Sequence, residues 1–359
     1  VFPSLGIAVV TLEAGALNRV VTSQAEGSAI LGIEPERMFY ALGEGLSSDY
    51  LQGYRDAVDH LYEKATQTES EELGAEPTAT FSDDSQSTWG LKATKVTTSP
   101  YTGQGIKVAV LDTGVDLQHP DLLGRTIISK SFISGQAVQD GHGHGTHCIG
   151  TSCGFKDVNG RRYGIAYQAT IYAGKVLSNQ GSGATSGIIA GIEWAIANGC
   201  QVISMSLGNT VTTSSPAYEA VGRRALRNGC LIVAAAGNDH PRTTVGQPAN
   251  SPSILAVAAV DNRLRIASFS CRSGPGLGAN VNIAAPGVAV YSSIPVNNGR
   301  YASWNGTSMA TPHVAGIAAL YAQSTSSRGS QLWQLLTSRT LRLTIPATAV
   351  GSGLVQAPQ

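Results

Sequence analysis

Three residues far apart in this chain, Asp112, His144 and Ser308, are of the types that together make an acyl-transfer site. A serine hydroxyl is a weak nucleophile until an imidazole takes its proton, and the imidazole serves best when a carboxylate holds its other ring nitrogen. Ser308 lies in Asn305-Gly306-Thr307-Ser308-Met309-Ala310-Thr311-Pro312, at the mouth of an apolar segment. Gly306 permits a turn that other residues resist, and Thr307 or Ser308 reads as the cap of the helix that follows. Pro312 reads as an early helical position, where a missing N–H costs little. Ala315, Ile317, Ala318, Ala319 and Leu320 are too apolar for a surface helix, so the helix should cross a packed interior with its positive end at the serine. Taken alone, the stretch also fits an ordinary capped, buried helix. The formal glycosylation triplet Asn305-Gly306-Thr307 is discounted, because a glycan would block the turn.

The stretch Asp140-Gly141-His142-Gly143-His144-Gly145-Thr146-His147-Cys148 carries three histidines, and two chemistries compete for it. As H-x-H-x-x-H it is similar to the zinc-binding stretch of metallo-β-lactamase-like hydrolases. That pattern wants an aspartate where Thr146 stands, and no matching downstream ligands are found. The alternative needs only one histidine as general base, with Asp112 to orient it and Ser308 to activate.

Such residues need a frame. From Trp89 onward, short apolar runs (Ile106–Leu111, Ile171–Val176, Val202–Leu207, Leu231–Ala236, Ile254–Val260, Val281–Ala284) alternate with helical segments at about Ala184–Asn198 and Ser215–Arg227. The pattern predicts an α/β fold, a parallel sheet covered by helices on both faces, with ligands beyond the carboxyl ends of the strands. The first strand is followed by Asp112-Thr113-Gly114; no G-x-G-x-x-G follows it, which argues against a dinucleotide fold.

With 24 basic and 24 acidic residues and no long charge runs, the chain of 359 residues has no electrostatic footprint for nucleic acid. No apolar run reaches the ~18 residues of a membrane span. The five cysteines lack C-x-x-C spacing, which argues against a zinc knuckle, and buried free thiols are the expectation. Residues 1–42 read as a small α+β piece, with strands at Gly6–Glu13 and Ala29–Leu42, the latter interrupted by Glu34-Pro35-Glu36, and a helical turn around Ala16–Val21. Residues 43–88 read as an extension with a helix at Ser48–Ala65 and a polar linker, and 89–359 as the main domain.

Five segments in order, L-D-T-G-V-D-x-x-H-P-D-L from Leu111, G-H-G-T-H-C from Gly143, S-L-G from Ser206, A-A-A-G-N from Ala234 and G-T-S-M-A-T-P-H-V-A-G from Gly306, resemble the subtilisin-like serine proteases, nearest the proteinase K branch. The resemblance covers roughly residues 85–355. It implies a serine endopeptidase with Ser308 as nucleophile, His144 as base and Asp112 as orienting carboxylate, and an oxyanion hole from Asn238 and the Ser308 N–H. By the same resemblance, a substrate strand adds between Gly181-Ser182-Gly183 and Ser206-Leu207-Gly208. Ala235, Ala236, Gly237 and Gly246 then lie about a first pocket without charge, which suits an apolar or aromatic residue before the scissile bond. Pro248 matches a cis position of the family. His142 and His147 become rim or structural residues, and Cys148 a free thiol under the catalytic histidine.

The resemblance further implies that residues 1–42 match the second half of an inhibitory propeptide, with Leu42 in the first pocket, Phe39 in the fourth, and self-cleavage at Leu42-Gly43. A competing junction lies near Ser85. No cofactor is required for the chemistry, but Asp121 matches a calcium ligand, and Asp157 and Asn159 offer further oxygens for a structural calcium. The expected protein is a secreted monomer acting on proteins or peptides and inhibited by its own propeptide. The rivals are a subtilisin relative that joins peptides, for which Ser48–Ala65 is the one candidate shield, and a non-catalytic peptide-binding module on the same fold.

Overall fold

The computed structural model describes residues 1–12, 30, 32–42 and 80–359. Gly43, the helical turn around Ala16–Val21 and the helix at Ser48–Ala65 lie outside the described residues. In chain order the strands are β1 (Met38–Ala41), β2 (Lys107–Asp112), β3 (Ile127–Ser131), β4 (Thr170–Lys175), β5 (Ser182–Ala184), β6 (Val202–Met205), β7 (Leu207–Gly208), β8 (Leu231–Ala235), β9 (Leu255–Val260), β10 (Ile283–Pro286), β11 (Val290–Ser293) and β12 (Tyr301–Trp304). The helices are α1 (Trp89–Ala93), α2 (His144–Cys153), α3 (Thr185–Ala197), α4 (Pro216–Arg227), α5 (Thr307–Thr325), α6 (Gly329–Ser338) and α7 (Ala347–Val350).

Seven strands form one parallel sheet in the order β10-β9-β8-β6-β2-β4-β3. Alternate side chains of each strand serve opposite faces. Val108 and Val110 of β2 join the cluster containing α2 and α5, whereas Ala109 and Leu111 join the one containing α3 and α4. Burial on both faces explains the unbroken apolar runs in the sequence. The strand order reverses between β2 and β6, so the crevice beyond their carboxyl ends is the place where a ligand site is expected. A second sheet, β5-β1-β7, is antiparallel and draws its middle strand from the N-terminal segment.

Helix α5 is buried on every side from Thr307 to Ala322. Two details differ from the sequence reading. Neither Thr307 nor Ser308 caps it; the N-cap is Gly306, whose φ of 146° suits a residue without Cβ, and no side chain there caps the helix. Pro312 sits beyond the first turn, where its missing N–H frees the carbonyl of Ser308. That carbonyl instead accepts from Ser206 Oγ at 2.8 Å and from Cys148 Sγ at 3.6 Å, which offsets the lost ladder bond.

Near the N-terminus, residues 6–12 do not form the expected strand; Pro3–Leu5 is a 3₁₀ turn, and among the described residues of the second expected strand only Met38–Ala41 pairs. Among the described residues, residues 6–12 find no ladder partner beyond the Phe2–Ile7 bridge, while Met38–Ala41 finds two. The described end of the expected linker, residues 80–88, is tied to the main body: Phe81 N donates to Asn262 O, and Asp83 Oδ1 accepts from Trp89 N.

Helices α2 and α5 meet at glycine. A Cβ on Gly316 would stand 2.7 Å from Ile165 Cβ and 2.8 Å from Ser152 O, so Gly316→Ala must push buried backbone aside. We expect it to destabilise the fold by about 1–3 kcal/mol, read from chemical denaturation in a Ser308→Ala background that avoids self-digestion.

Candidate active site

Asp112 ends β2 and His144 opens α2, and both are buried. His144 Nδ1 lies 2.7 Å from Asp112 Oδ1, which also accepts the Thr113 N–H at 2.7 Å. Burial opposes a charge on His144, the Asp112 carboxylate outweighs it, and the imidazole pKa is held well above its ordinary value. His144 Nε2 is buried without a hydrogen-bond partner. Ser308, second residue of α5, turns its Oγ to Ser206 O at 3.0 Å rather than to the imidazole. One χ1 step separates staggered positions of a serine hydroxyl, and catalytic hydrogen bonds are often unformed until substrate binds.

Asn238 follows β8. Its Oδ1 accepts from Thr307 N at 2.9 Å and Thr307 Oγ1 at 2.8 Å, so its Nδ2 must point the other way. There it donates to the carbonyl of Leu42 at 2.5 Å. The Ser308 N–H belongs to the first turn of α5 and has no carbonyl four residues back within the helix. The arrangement can activate a hydroxyl and stabilise an oxyanion beside it.

The segment ending at Leu42 lies where a peptide strand was expected. Phe39 and Tyr40 pair with Gly183 and Ser182, while Tyr40 and Ala41 pair with Gly208 and Leu207. Ala41 N donates to Gly181 O at 2.9 Å and Leu42 N to Ser206 O at 3.3 Å. Leu42 Cδ1 comes within 2.8 Å of the point where a Gly208 Cβ would be, so glycine makes room for that side chain. Ala235 and Ala236 are buried at the end of β8, and Gly246 N donates to Ala236 O. Gly246 has a second reason to be glycine: a Cβ there would lie 1.9 Å from Asn209 O. Phe39 is fully buried and meets the Tyr218 ring edge-on, centroids 5.3 Å apart.

Sequence reasoning missed several supports. Glu34 Oε1 accepts from Ser215 Oγ and Ala217 N at the start of α4, and Glu36 Oε1 accepts from Ser186 N at the start of α3. The signal was the pair of acids around Pro35, which reads as an interruption until two helix N-termini are seen side by side. Tyr218 had no motif to mark its contact with Phe39, and the S-L-G motif marked Ser206 as groove wall but not its bonds with Ser308.

The three histidines do not converge. His147 stacks on Trp304 at 4.7 Å and its Nε2 donates to Val290 O; burial, then the charge of His144, push its pKa down to about 3. Among the described residues the one cluster of metal-type donors is Asp112, His144 and Cys148. The zinc reading therefore fails on geometry. All five cysteines are free and buried, and Cys148 Sγ lies 3.9 Å from His144 Nδ1. The Gln247-Pro248 bond is cis, as is His240-Pro241.

Residues 103–358 match the profile of the subtilase family. The chain belongs to that family. It is 44% identical over 234 residues to Subtilisin DY of Bacillus licheniformis, covering 64% of this chain and 81% of that one. To Subtilisin E of Bacillus subtilis strain 168 it is 45% identical over 235 residues, 64% of this chain and 58% of the relative. A thermostable alkaline protease of Halalkalibacterium halodurans is 44% identical over 257 residues, 71% and 67% of the two chains. This subtilase is a subtilisin-like serine endopeptidase, and it needs no cofactor for the chemical step.

The oxygens suggested for calcium do not fit one. Asp121 Oδ2 accepts from Tyr163 OH at 2.7 Å, and both its oxygens accept from Tyr301 OH at 3.0 Å. Asp157 Oδ1 accepts from Asn159 N and Arg161 N, and its Oδ2 from Tyr291 OH at 3.0 Å and Arg161 Nε at 3.4 Å. The Arg161 guanidinium lies 3.8 Å above the Tyr291 ring and 3.8 Å from Asp83. Phenols and a guanidinium thus take the carboxylate lone pairs that a calcium would need. We expect excess chelator to leave any contribution of this loop unchanged, and Arg161→Met to lower the melting temperature by about 2–4 °C. A chelator-induced fall that vanishes in Asp121→Asn would return that carboxylate to a calcium site.

Proposed function

We propose that Ser308, His144 and Asp112 are the catalytic triad of this endopeptidase. Ser308 Oγ attacks the peptide carbonyl, His144 Nε2 takes the hydroxyl proton and passes it to the leaving amine, and Asp112 holds the imidazole in the tautomer with Nδ1 protonated. Asn238 Nδ2 and the Ser308 N–H receive the oxyanion. The observation that carries this reading is the 2.5 Å contact between Asn238 Nδ2 and the Leu42 carbonyl, at the end of a strand inserted between β5 and β7. A carbonyl held there is positioned as the acyl group of a bound peptide would be.

Residues 1–42 are then a partial inhibitory propeptide, and Met38–Leu42 its product-like end. The acidic contacts of Glu34 and Glu36 at the starts of α4 and α3 support this by fixing the strand from outside the cleft. Leu42 marks a first pocket suited to apolar or aromatic residues, and Phe39 a fourth pocket against Tyr218. Residues 43–88 follow as an extension of the mature enzyme, which acts on proteins or peptides as a secreted monomer.

Ser308→Ala should lose turnover by about six orders of magnitude with its fold intact, and a fluorophosphonate should label wild-type Ser308. Normal hydrolysis by the variant, or an unlabelled wild type, would sink the triad. Asn238→Ala should cost about 10²–10³-fold in kcat, the loss known for such a donor in subtilisin.

Cleavage is expected at Leu42-Gly43. The rival junction near Ser85 is unsuited, because Asp84 Oδ1 ties up the N–H groups of Gln86 and Ser87 in a turn. N-terminal sequencing of wild-type protein purified without added protease should give a terminus at Gly43, and none in Ser308→Ala. A terminus near Ser85 would refute the assignment.

A further inference from the structure

Two buried charges beneath the site have no part in the chemistry described above. Asp140 is 3% exposed and Lys175 is fully buried. Neither is left over from a surface ion pair, so each must be held by what surrounds it.

Asp140 accepts from five donors. Its Oδ1 takes the N–H groups of His142 and Gly143 and the hydroxyl of Thr113, at 3.1, 2.8 and 2.8 Å. Its Oδ2 takes Thr146 N at 2.8 Å and Thr146 Oγ1 at 2.7 Å. A further link is indirect: Thr113 Oγ1, while donating to Asp140, accepts the Gly145 N–H at 2.8 Å. Asp140 therefore binds the first turn of the helix that carries His144 to the residue that follows Asp112. Lys175 closes β4 and pairs in register with Asp112. Its Nζ donates to the Thr113 carbonyl and, at 2.8 Å, to Asn179 Oδ1, which also accepts the Gly141 N–H at 3.1 Å. Thr113 is thus gripped twice, at its hydroxyl by the anion and at its carbonyl by the cation.

We propose that Asp140 and Lys175 are an opposed pair of positioning residues, which fix Thr113, and through it Asp112, against His144 and which act on the imidazole with opposite electrostatic sign. The proposal rests on the reading of His144 as the base. The titratable groups facing His144 are Asp112 at the end of β2, His142 before α2, and His147 and Cys148 within α2, while Asp140 and Lys175 lie behind Thr113 and also face His142, whose pKa burial pushes down. His147 is kept neutral, and burial pushes the Cys148 thiol up, so neither carries charge near neutral pH. The fixed charges beneath the imidazole are then Asp112, Asp140 and Lys175. Burial lowers the Lys175 pKa while Asp140 and Asp112 oppose that, and for Asp140 burial is outweighed by the N–H and hydroxyl donors that hold its pKa low.

The sign follows. Asp140→Asn removes a negative charge, disfavours the imidazolium, and should move the acidic limb of kcat/KM to lower pH. Lys175→Met removes a positive charge and should move it to higher pH. Each shift should be about half a unit to one unit, as for a buried charge acting at an effective dielectric near 20. The double variant should return the limb close to that of wild type. Loss of kcat with little change in KM should accompany both single changes, since substrate touches neither residue. Rates are to be normalised to the fraction labelled by a fluorophosphonate, so misfolded protein is not counted. If turnover is too low, proton NMR of the His144 Nδ1–H across the same pH range reads the same shifts. Limbs that stay put, or that move in the same direction in labelled Asp140→Asn and Lys175→Met, overturn the inference alone. A wild type that takes no label overturns the reading of the site beneath it.

Discussion

A buried imidazole held to a buried carboxylate at 2.7 Å is the constraint around which this molecule is arranged. Removing two such groups from water is costly unless the surroundings supply geometry and donors. The fold supplies both by ending a central strand at Asp112 and starting a helix at His144, so that each group is fixed by its own main chain before the two meet. Trp304 stacks near both His144 and His147 and closes one side of the ring against solvent.

The same economy appears across the cleft. The strand order changes direction between β2 and β6, and the segment after β6 turns at once into β7, one wall of the groove that holds Tyr40 and Ala41. Thr307 fixes Asn238 while opening α5, so the amide and the serine are placed by adjacent residues of one turn. Loops and strand ends carry the polar groups; the sheet and its two helical layers supply rigidity.

Much of this was legible in the sequence, for physical reasons that vary by element. Doubly buried strands are apolar throughout, which is why β2, β4, β6, β8, β9 and β10 were found within a residue or two. The edge strand β3 is half-buried at Ile127, Ile128 and Ser131 and exposed at Ser129 and Lys130, and it left no apolar run to detect. Helix α2 was hidden by its glycines and histidines, poor helix formers that are there for contacts rather than propensity. Asp112, His144, Ser308 and Asn238 could be proposed from the sequence because the proposed chemistry demands fixed residue types. The phenols on Asp121 and the guanidinium on Asp157 could not, because a carboxylate in a sequence does not reveal whether metal or protein will satisfy it. Glu34 and Glu36 show the same limit, since their partners lie about 150 residues or more away in sequence.

Pro312 gives the long helix an unusual mechanical character. In an unbroken helix, the carbonyl of the second residue is tethered to the rung above, and motion of the rod is passed along that tether. Here the tether is cut, and the Ser308 carbonyl is moored laterally to Ser206 and Cys148, on two other elements. Any fraying at the far end, where Ser326 leaves the helix in a left-handed conformation, would thereby be decoupled from the end that carries Ser308. The serine behaves as part of the sheet's rim, and the helix behind it serves as ballast.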